Sequence, residues 1–386
     1  MAHTSRRIAI LAEGHFAPME AKTAIGVLRY RPEECVAVLD SRRAGATTHD
    51  CVGAGGATPV VATLDEAAGL GADTLLVGIA PAGGRLPAPW RAVVADALRR
   101  GWRVVSGMHT FLGDDPEFAA LARLHDGAID DVRRPPAEPR VGLGRAAAVD
   151  ALVVLTIGTD CNVGKMTAAL ELQRELRARG VRAQFVATGQ TGIVIAGSGV
   201  AVDAVPADFV AGAIERCVLQ AAAVADVVLV EGQGALHHPA FSAVTLGLLH
   251  GSCPSAFVLC HHHGRTHMRI ASDTRGDGPP VPTLSAARDA HEAAASWLHP
   301  ARVVAAALNT WDTPERDARA ACDAAAAELG VSAVDPVRYG AGPAADAIVQ
   351  ELAARRAAST GGGAAASTGG ETAARTRGET NEGSRS

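Results

Sequence analysis

The sequence predicts an α/β protein built from two parallel-sheet domains, and three observations carry that reading. Short apolar runs rich in β-branched residues alternate with helical or glycine-rich segments through residues 6–132 and again through 148–355. That alternation is the pattern of a parallel sheet with helices on its faces. Between the two stretches lies Arg133-Arg-Pro-Pro-Ala-Glu-Pro-Arg-Val-Gly-Leu-Gly-Arg145, without apolar periodicity, which reads as an exposed linker over 133–147. The third observation is a strand, a glycine turn and a helix in direct succession, from Leu152 to Arg179.

Composition narrows the class of function. The 386 residues are 48% hydrophobic but only 3% aromatic, so two cores must be built from Ala, Val and Leu. A net charge of −5 argues against a broad nucleic-acid footprint. Seven cysteines without a C-x-x-C pair fit reduced thiols better than a disulfide framework. Ile8-Ala-Ile-Leu-Ala12 is too short for a signal h-region, and no apolar run approaches the ~20 residues of a spanning helix. The expectation is a cytoplasmic homo-oligomer that binds a small molecule and neither nucleic acid nor membrane.

In the first domain, residues 1–132, the expected strands are Ile8-Ala-Ile-Leu, Cys35-Val-Ala-Val-Leu, Pro59-Val-Val-Ala, Thr74-Leu-Leu-Val-Gly-Ile and Arg103-Val-Val-Ser. The helix at Pro89–Arg100 ends on Gly101 as its C-cap. Asp40 closes the second strand, but Ala12-Glu-Gly-His-Phe-Ala17 lacks G-x-G-x-x-G, which argues against NAD. Gly78–Gly84 and Ser106-Gly-Met-His109 follow strands, and read either as ligand loops or as tight packing.

The second domain opens on the buried run Leu152–Ile157, which breaks into the turn Gly158–Gly164 before a helical run begins. Backbone N–H groups of such a turn converge on an anion, and the helix dipole adds about half a positive charge. Gly158, Thr159, Asp160, Cys161, Asn162, Val163, Gly164, Lys165, Met166 and Thr167 therefore form the candidate cofactor-binding loop. Lys165 is the residue that reaches terminal phosphates. Two departures from G-x-x-x-x-G-K-[ST] stand out: Gly158 is one residue further from Gly164, and Met166 replaces the hydroxyl residue that assists Mg²⁺. Asp160 reads equally as a metal or substrate contact and as an Asx-turn former.

Later strands each deliver polar residues at their C-terminal ends, where open α/β sheets bind ligands. Val181–Ala187 leads to Thr188-Gly-Gln190-Thr-Gly192, and Val227–Val230 leads to Glu231-Gly-Gln233-Gly234. Ala256–Cys260 leads to His261-His-His-Gly-Arg265, and Val303–Leu308 leads to Asn309-Thr-Trp311. Glu231, after four apolar residues, is a candidate catalytic carboxylate, and the metal ligand if Mg²⁺ is used. Asp208 is a substrate contact or merely an N-cap. The histidines, His237 and His238 among them, lack zinc spacing and suit general-base work better. Arg265 and Arg269, four apart, would share a helix face suited to a carboxylate or phosphate, or would be a solvated basic face. Residues 356–386 carry no large apolar side chain and read as a disordered tail.

GTDCNVGKMTAALEL (158–172), residues 185–215 and VEGQGALHHPAFSAVTLGLLHGSCP (230–254) together resemble the D-glutamate N-acetyltransferase family. Lys22-Thr-Ala-Ile-Gly-Val-Leu-Arg-Tyr30, Gly78–Gly84 and Val105–His109 agree, so the resemblance spans nearly residues 6–350. It implies a Rossmann-like N-terminal domain, a P-loop NTPase-like C-terminal domain, and acetyl transfer from acetyl-CoA to the amine of an acidic amino acid such as D-glutamate. Lys165, Glu231, His237 and His238 are then catalytic candidates, and Gln190, Asp208, Gln233, Arg265 and Arg269 substrate contacts. The glycine turn and Val-Glu-Gly-x-Gly are also similar to dethiobiotin synthetase, which implies the alternative of an ATP- and Mg²⁺-dependent ligase or kinase acting on a small carboxylate.

Overall fold

A computed structural model of the protein describes residues 6–18, 20–79, 84–270 and 278–365. Its strands form two six-stranded sheets, each wholly parallel. The first holds β1 (Ile8–Leu11), β2 (Cys35–Leu39), β3 (Val60–Val61), β4 (Thr74–Val77), β5 (Arg103–Ser106) and β6 (Ala128–Asp131) in the order β3-β2-β1-β4-β5-β6. Its helices are α1 (Lys22–Tyr30), α2 (Thr48–Val52), α3 (Leu64–Gly69), α4 (Trp90–Arg99) and α5 (Pro116–Leu124). This is the doubly wound order, and its switch point lies between β1 and β4.

The second sheet holds β7 (Leu152–Gly158), β8 (Ala183–Val186), β9 (Val227–Val230), β10 (Ala256–His262), β11 (Arg302–Asn309) and β12 (Ser332–Val334), ordered β12-β11-β10-β7-β9-β8. Around it run α6 (Lys165–Ala178), α7 (Gln190–Ala196), α8 (Ala207–Ala222), α9 (Ser242–Ser252), α10 (Leu284–Ala295), α11 (Glu315–Leu329) and α12 (Gly342–Ala365). Side chains alternate across a strand, so β7 feeds two cores. Val153, Leu155 and Ile157 enter the core shared with α8, while Leu152 and Val154 enter the one under α6 and α12. Burial on both faces explains why this strand reads as a continuous apolar run. No helix among the described residues is long and apolar enough to cross a membrane.

The domains are fused through one core. The cluster that holds Ile10, Val27 and Leu76 of the first sheet's domain continues into Ala169, Leu170, Phe185, Ile193 and Ile195 of the second. Polar ties cross the same seam: Thr23 Oγ1 to Thr191 Oγ1 at 2.8 Å, Tyr30 Oη to Glu171 Oε1 at 3.0 Å, and Arg31 Nε to the Ile195 carbonyl at 2.8 Å.

Two expectations need correction here. The 133–147 segment is laid onto the protein rather than exposed throughout. Arg133 is buried, donating to the Gly107 carbonyl and pairing with Asp203. The buried Glu215 carboxylate on α8 accepts the N–H groups of Leu143 and Arg145. Gly212 leaves room for this packing, because a Cβ there would fall 1.8 Å from the Arg140 carbonyl oxygen. At the C-terminus, helix α12 continues to Ala365, past the residue 356 where the tail was expected. The rest of that expected tail lies outside the described residues.

Candidate active site

The loop between β7 and α6 has the geometry of an anion cradle. Asn162 (φ 55°) and Gly164 (φ 107°) both take positive φ, which turns the chain sharply into α6. The N-terminus of α6 carries no side-chain cap, so its first N–H groups are left for a ligand. Gly158 is needed for close approach, because a Cβ there would lie 2.8 Å from Val163 Cγ2 and 3.2 Å from Lys165 Nζ. Lys165 folds beneath the loop, nearly buried, and donates to the Asp160 carbonyl at 2.8 Å. Burial lowers its pKa from the ordinary lysine value, against the pull of nearby Cys161, Cys260, Asp160 and Glu231.

Asp160 holds this loop from behind and does not face a ligand. It is fully buried, and its Oδ2 accepts from Arg265 Nη1 at 2.8 Å and from the Arg269 N–H at 3.0 Å. Arg265 also donates to the Cys161 carbonyl at 2.6 Å. The expected shared helix face of Arg265 and Arg269 does not form. Gly264 turns with φ 78° after β10, and His267 bridges Pro280, so the segment is irregular. Arg265 is thereby committed to the loop, whereas the Arg269 guanidinium has no partner among the described residues. We expect Arg265→Ala to cost about 3–5 kcal/mol by stranding a buried carboxylate. Urea unfolding should show the loss, and Asp160→Asn in the same chain should recover part of it.

The histidine candidates sit elsewhere than expected. His237 is exposed and does not line the cavity. His238 is buried with both ring nitrogens engaged: Nδ1 accepts from the Ala240 N–H at 3.1 Å, and Nε2 donates to the Arg269 carbonyl at 3.0 Å. Neither is placed to serve as a base. Asp160, Cys161 and His238 bring their ligand atoms within 4.8 Å of one another. The Ala240 bond puts the His238 proton on Nε2, the nitrogen 3.8 Å from Asp160 Oδ1, so that nitrogen has no lone pair for a metal. His261 meets the Thr159 hydroxyl at 2.9 Å, and burial pushes its pKa down to about 4.

A cavity of about 1080 Å³ opens between the two domains. It joins the C-terminal edges of both sheets: His15 and Ile79 line it beyond β1 and β4, Cys161–Thr167 beyond β7, Glu231 beyond β9, and Asn309 at the end of β11. Gln190 and Gln233 line it, whereas Gly158, Thr159 and Asp160 at the start of the loop are not among the lining residues. Asp208 is exposed in the first turn of α8 and is not among the lining residues. The 80–83 part of the Gly78–Gly84 loop lies outside the described residues, and His109 is exposed away from the lining.

Glu231 sits on the cavity floor. Its Oε2 accepts the N–H groups of Thr188 at 3.0 Å and Gly189 at 3.3 Å, and its Oε1 accepts from Gln233 Nε2 at 3.1 Å. Burial raises its pKa to about 7, with the two N–H groups and Lys165 pulling the other way. The glycines of Thr188–Gly192 exist to admit this carboxylate, since a Cβ on Gly192 would lie 2.3 Å from Oε2. Lys22, which lines the same cavity, has no hydrogen bond or ion pair among the described residues. Its pKa is lowered by burial and then by Arg269 and Arg265. Lys22 and Arg269, close to one another and without a counter-charge among the described residues, make a site for an anion.

Met166, where a hydroxyl residue assists Mg²⁺ in the usual loop, borders the cavity and packs into the domain seam. A Cβ on Gly26 of α1 would lie 3.6 Å from its Cε. Sequence reading missed this partner, and also the lining residues His15, Arg29, Asp335 and Arg338. A signal existed for Asp335, where the short run before Asp-Pro is β12.

Two domain families match the sequence: one described as a domain of unknown function (DUF1611_N), Rossmann-like, over residues 41–135, and one described as a domain of unknown function (DUF1611_C), a P-loop domain, over residues 140–345. A D-glutamate N-acetyltransferase from Tritonibacter scottomollicae is 39% identical over 86% of this chain and 94% of its own. One from a Pseudoalteromonas species is 36% identical over 86% of this chain and 95% of its own. The crystal structure of a DUF1611 family protein from Anabaena variabilis superposes with a TM-score of 0.84 at 37% identity, over 89% of this chain and 99% of that one.

Proposed function

Because this chain belongs to the DUF1611 family, with relatives named D-glutamate N-acetyltransferase, and is itself an N-acetyltransferase, we propose that it moves an acetyl group from acetyl-CoA to the amine of an acidic amino acid. One observation carries the proposal. A buried carboxylate with a pKa of about 7 shares a cavity with an anion cradle and with Lys22 and Arg269, whose cationic groups have no partner among the described residues. Coenzyme A brings a pyrophosphate, which the loop N–H groups and Lys165 are built to hold without phosphoryl transfer. The acceptor's carboxylates are drawn to Lys22 and Arg269, which orients its amine toward Glu231.

Glu231, ionised, takes a proton from the acceptor ammonium, and the freed amine attacks the thioester carbonyl. The C–N bond forms, the C–S bond breaks, and the thiolate leaves with the electron pair and takes up the second proton, which the nitrogen sheds as it becomes an amide. A carboxylate poised near neutrality suits this exchange better than one ionised at every working pH.

The ligase alternative needs Mg²⁺ between phosphates, and the residues present fit it poorly. Met166 offers a thioether to an ion that demands oxygen, and Glu231 already accepts three hydrogen bonds. Thiol release from acetyl-CoA with D-glutamate as acceptor should proceed in EDTA, and Met166→Thr should do little for turnover. Stoichiometric ADP release from ATP with D-glutamate or any other amino acid would overturn the proposal.

A further inference from the structure

Where the strand ends of β11 and β12 reach the same cavity, its lining includes two exposed apolar side chains. Trp311, just beyond β11, is 54% exposed, and Val337, beyond β12, is 50% exposed; both line the cavity. Two large apolar side chains open to water in the lining of one cavity offer a surface to a ligand. Neither hangs loosely. The Trp311 indole N–H donates to His262 Nε2 at 3.1 Å, and His262 in turn donates from Nδ1 to the His263 carbonyl at 2.8 Å. Both bonds fit one histidine tautomer, so the direction of the indole edge is fixed.

One buried carboxylate pins the two backbones. Asp335 Oδ2 accepts the Thr310 N–H at 2.9 Å and its hydroxyl at 2.6 Å, while Oδ1 accepts the N–H groups of Val337 at 2.9 Å and Arg338 at 3.1 Å. Arg338 also reaches across to the Trp311 carbonyl at 3.3 Å. The result is a pre-set aromatic face beside an aliphatic one, on the cavity that also holds the phosphate loop. Flat π-faced ligands gain from such a platform, and pre-orientation removes the entropy cost of building it.

We propose that Trp311 and Val337 form the nucleobase subsite, on which the purine of the nucleotide-linked acyl donor stacks while its phosphates lie on the loop. The inference rests on the acyl-donor reading above, and direct binding separates the two. Adenosine 3′,5′-bisphosphate carries the base and phosphates but no acyl group. Its Kd, measured by calorimetry, should rise roughly tenfold or more in Trp311→Ala. Trp311→Phe, which keeps a π-face and loses the bond to His262, should stay within roughly threefold of the parent. In turnover, Trp311→Ala should raise KM for acetyl-CoA while leaving KM for S-acetylpantetheine, which has no nucleotide, unchanged. An unaltered bisphosphate Kd in Trp311→Ala, a parent enzyme that does not bind the bisphosphate, or equal rises in KM for both donors would overturn the subsite. Failure of acetyl transfer alongside a Trp311-dependent Kd would count against the acyl chemistry and leave the subsite standing.

Discussion

Glu231→Gln is expected to lower kcat by roughly a hundred- to ten-thousand-fold, the range over which a positioned base contributes. The substitution preserves shape. A glutamine oxygen still accepts from Thr188 and Gly189, and Gln233 can turn its amide to accept the new N–H. Binding of acetyl-CoA should therefore change far less than kcat. The pH profile supplies an independent check. A base works only when deprotonated, and burial holds this carboxyl at about 7. Activity in the parent enzyme should rise as pH climbs through 7 and fall away below it. Glu231→Gln should lose that limb, leaving a low rate that does not follow pH there. A parent profile flat from pH 5.5 to 8, or a variant with full kcat, would remove Glu231 from the chemistry.

Lys165→Ala is the second large effect. The side chain is nearly buried beneath the loop with its ammonium on the Asp160 carbonyl, so its loss removes charge from the cradle and a donor from a buried acceptor. A charge-assisted contact is worth about 1.5–3 kcal/mol, so donor affinity should fall roughly tenfold to a hundredfold. Lys165→Met retains most of the stem and separates the two contributions. Both variants should lose acetyl-CoA affinity and strand the Asp160 carbonyl, whereas the alanine should lower Tm further, through the void left behind. Unchanged affinity for acetyl-CoA and for ATP in either variant would refute the phosphate-cradle reading.

The parts of this protein visible in its sequence are those decided by neighbours in the chain. Runs such as Leu152–Ile157 are buried on both faces and declare themselves as strands, and the glycine turn declares the cradle because positive φ is needed within a few residues. Glu231 and Gln233 were legible because a strand end in an open sheet points its polar residues at the crevice. What stayed hidden depends on partners far along the chain. Arg265 has the charge to bind a substrate carboxylate, but Asp160 takes it first, and nothing between the two positions announces that pairing. His238 is chemically a base until the Ala240 N–H and the Arg269 carbonyl claim both nitrogens. Arg133 looked solvated because charge beside proline usually is, and the Gly107 carbonyl that holds it lies on another strand's end.

The pairing of Met166 with Gly26 across a continuous core bears on how this protein can be inherited and re-engineered. Two domain families can be drawn along the chain, but the chain is not modular in the sense that its halves can be traded. A gene cut near residue 140 would leave one half presenting Ala169, Leu170, Phe185 and Ile193 to water, and the other presenting the surface that covered them. Recombination with a foreign partner would have to supply the complement of that seam, together with a small residue opposite Thr191, whose Cγ2 a Cβ on Gly26 would approach to 2.9 Å. The two domains are therefore bound to change in step along this seam, each new side chain at one constraining what the other can accept.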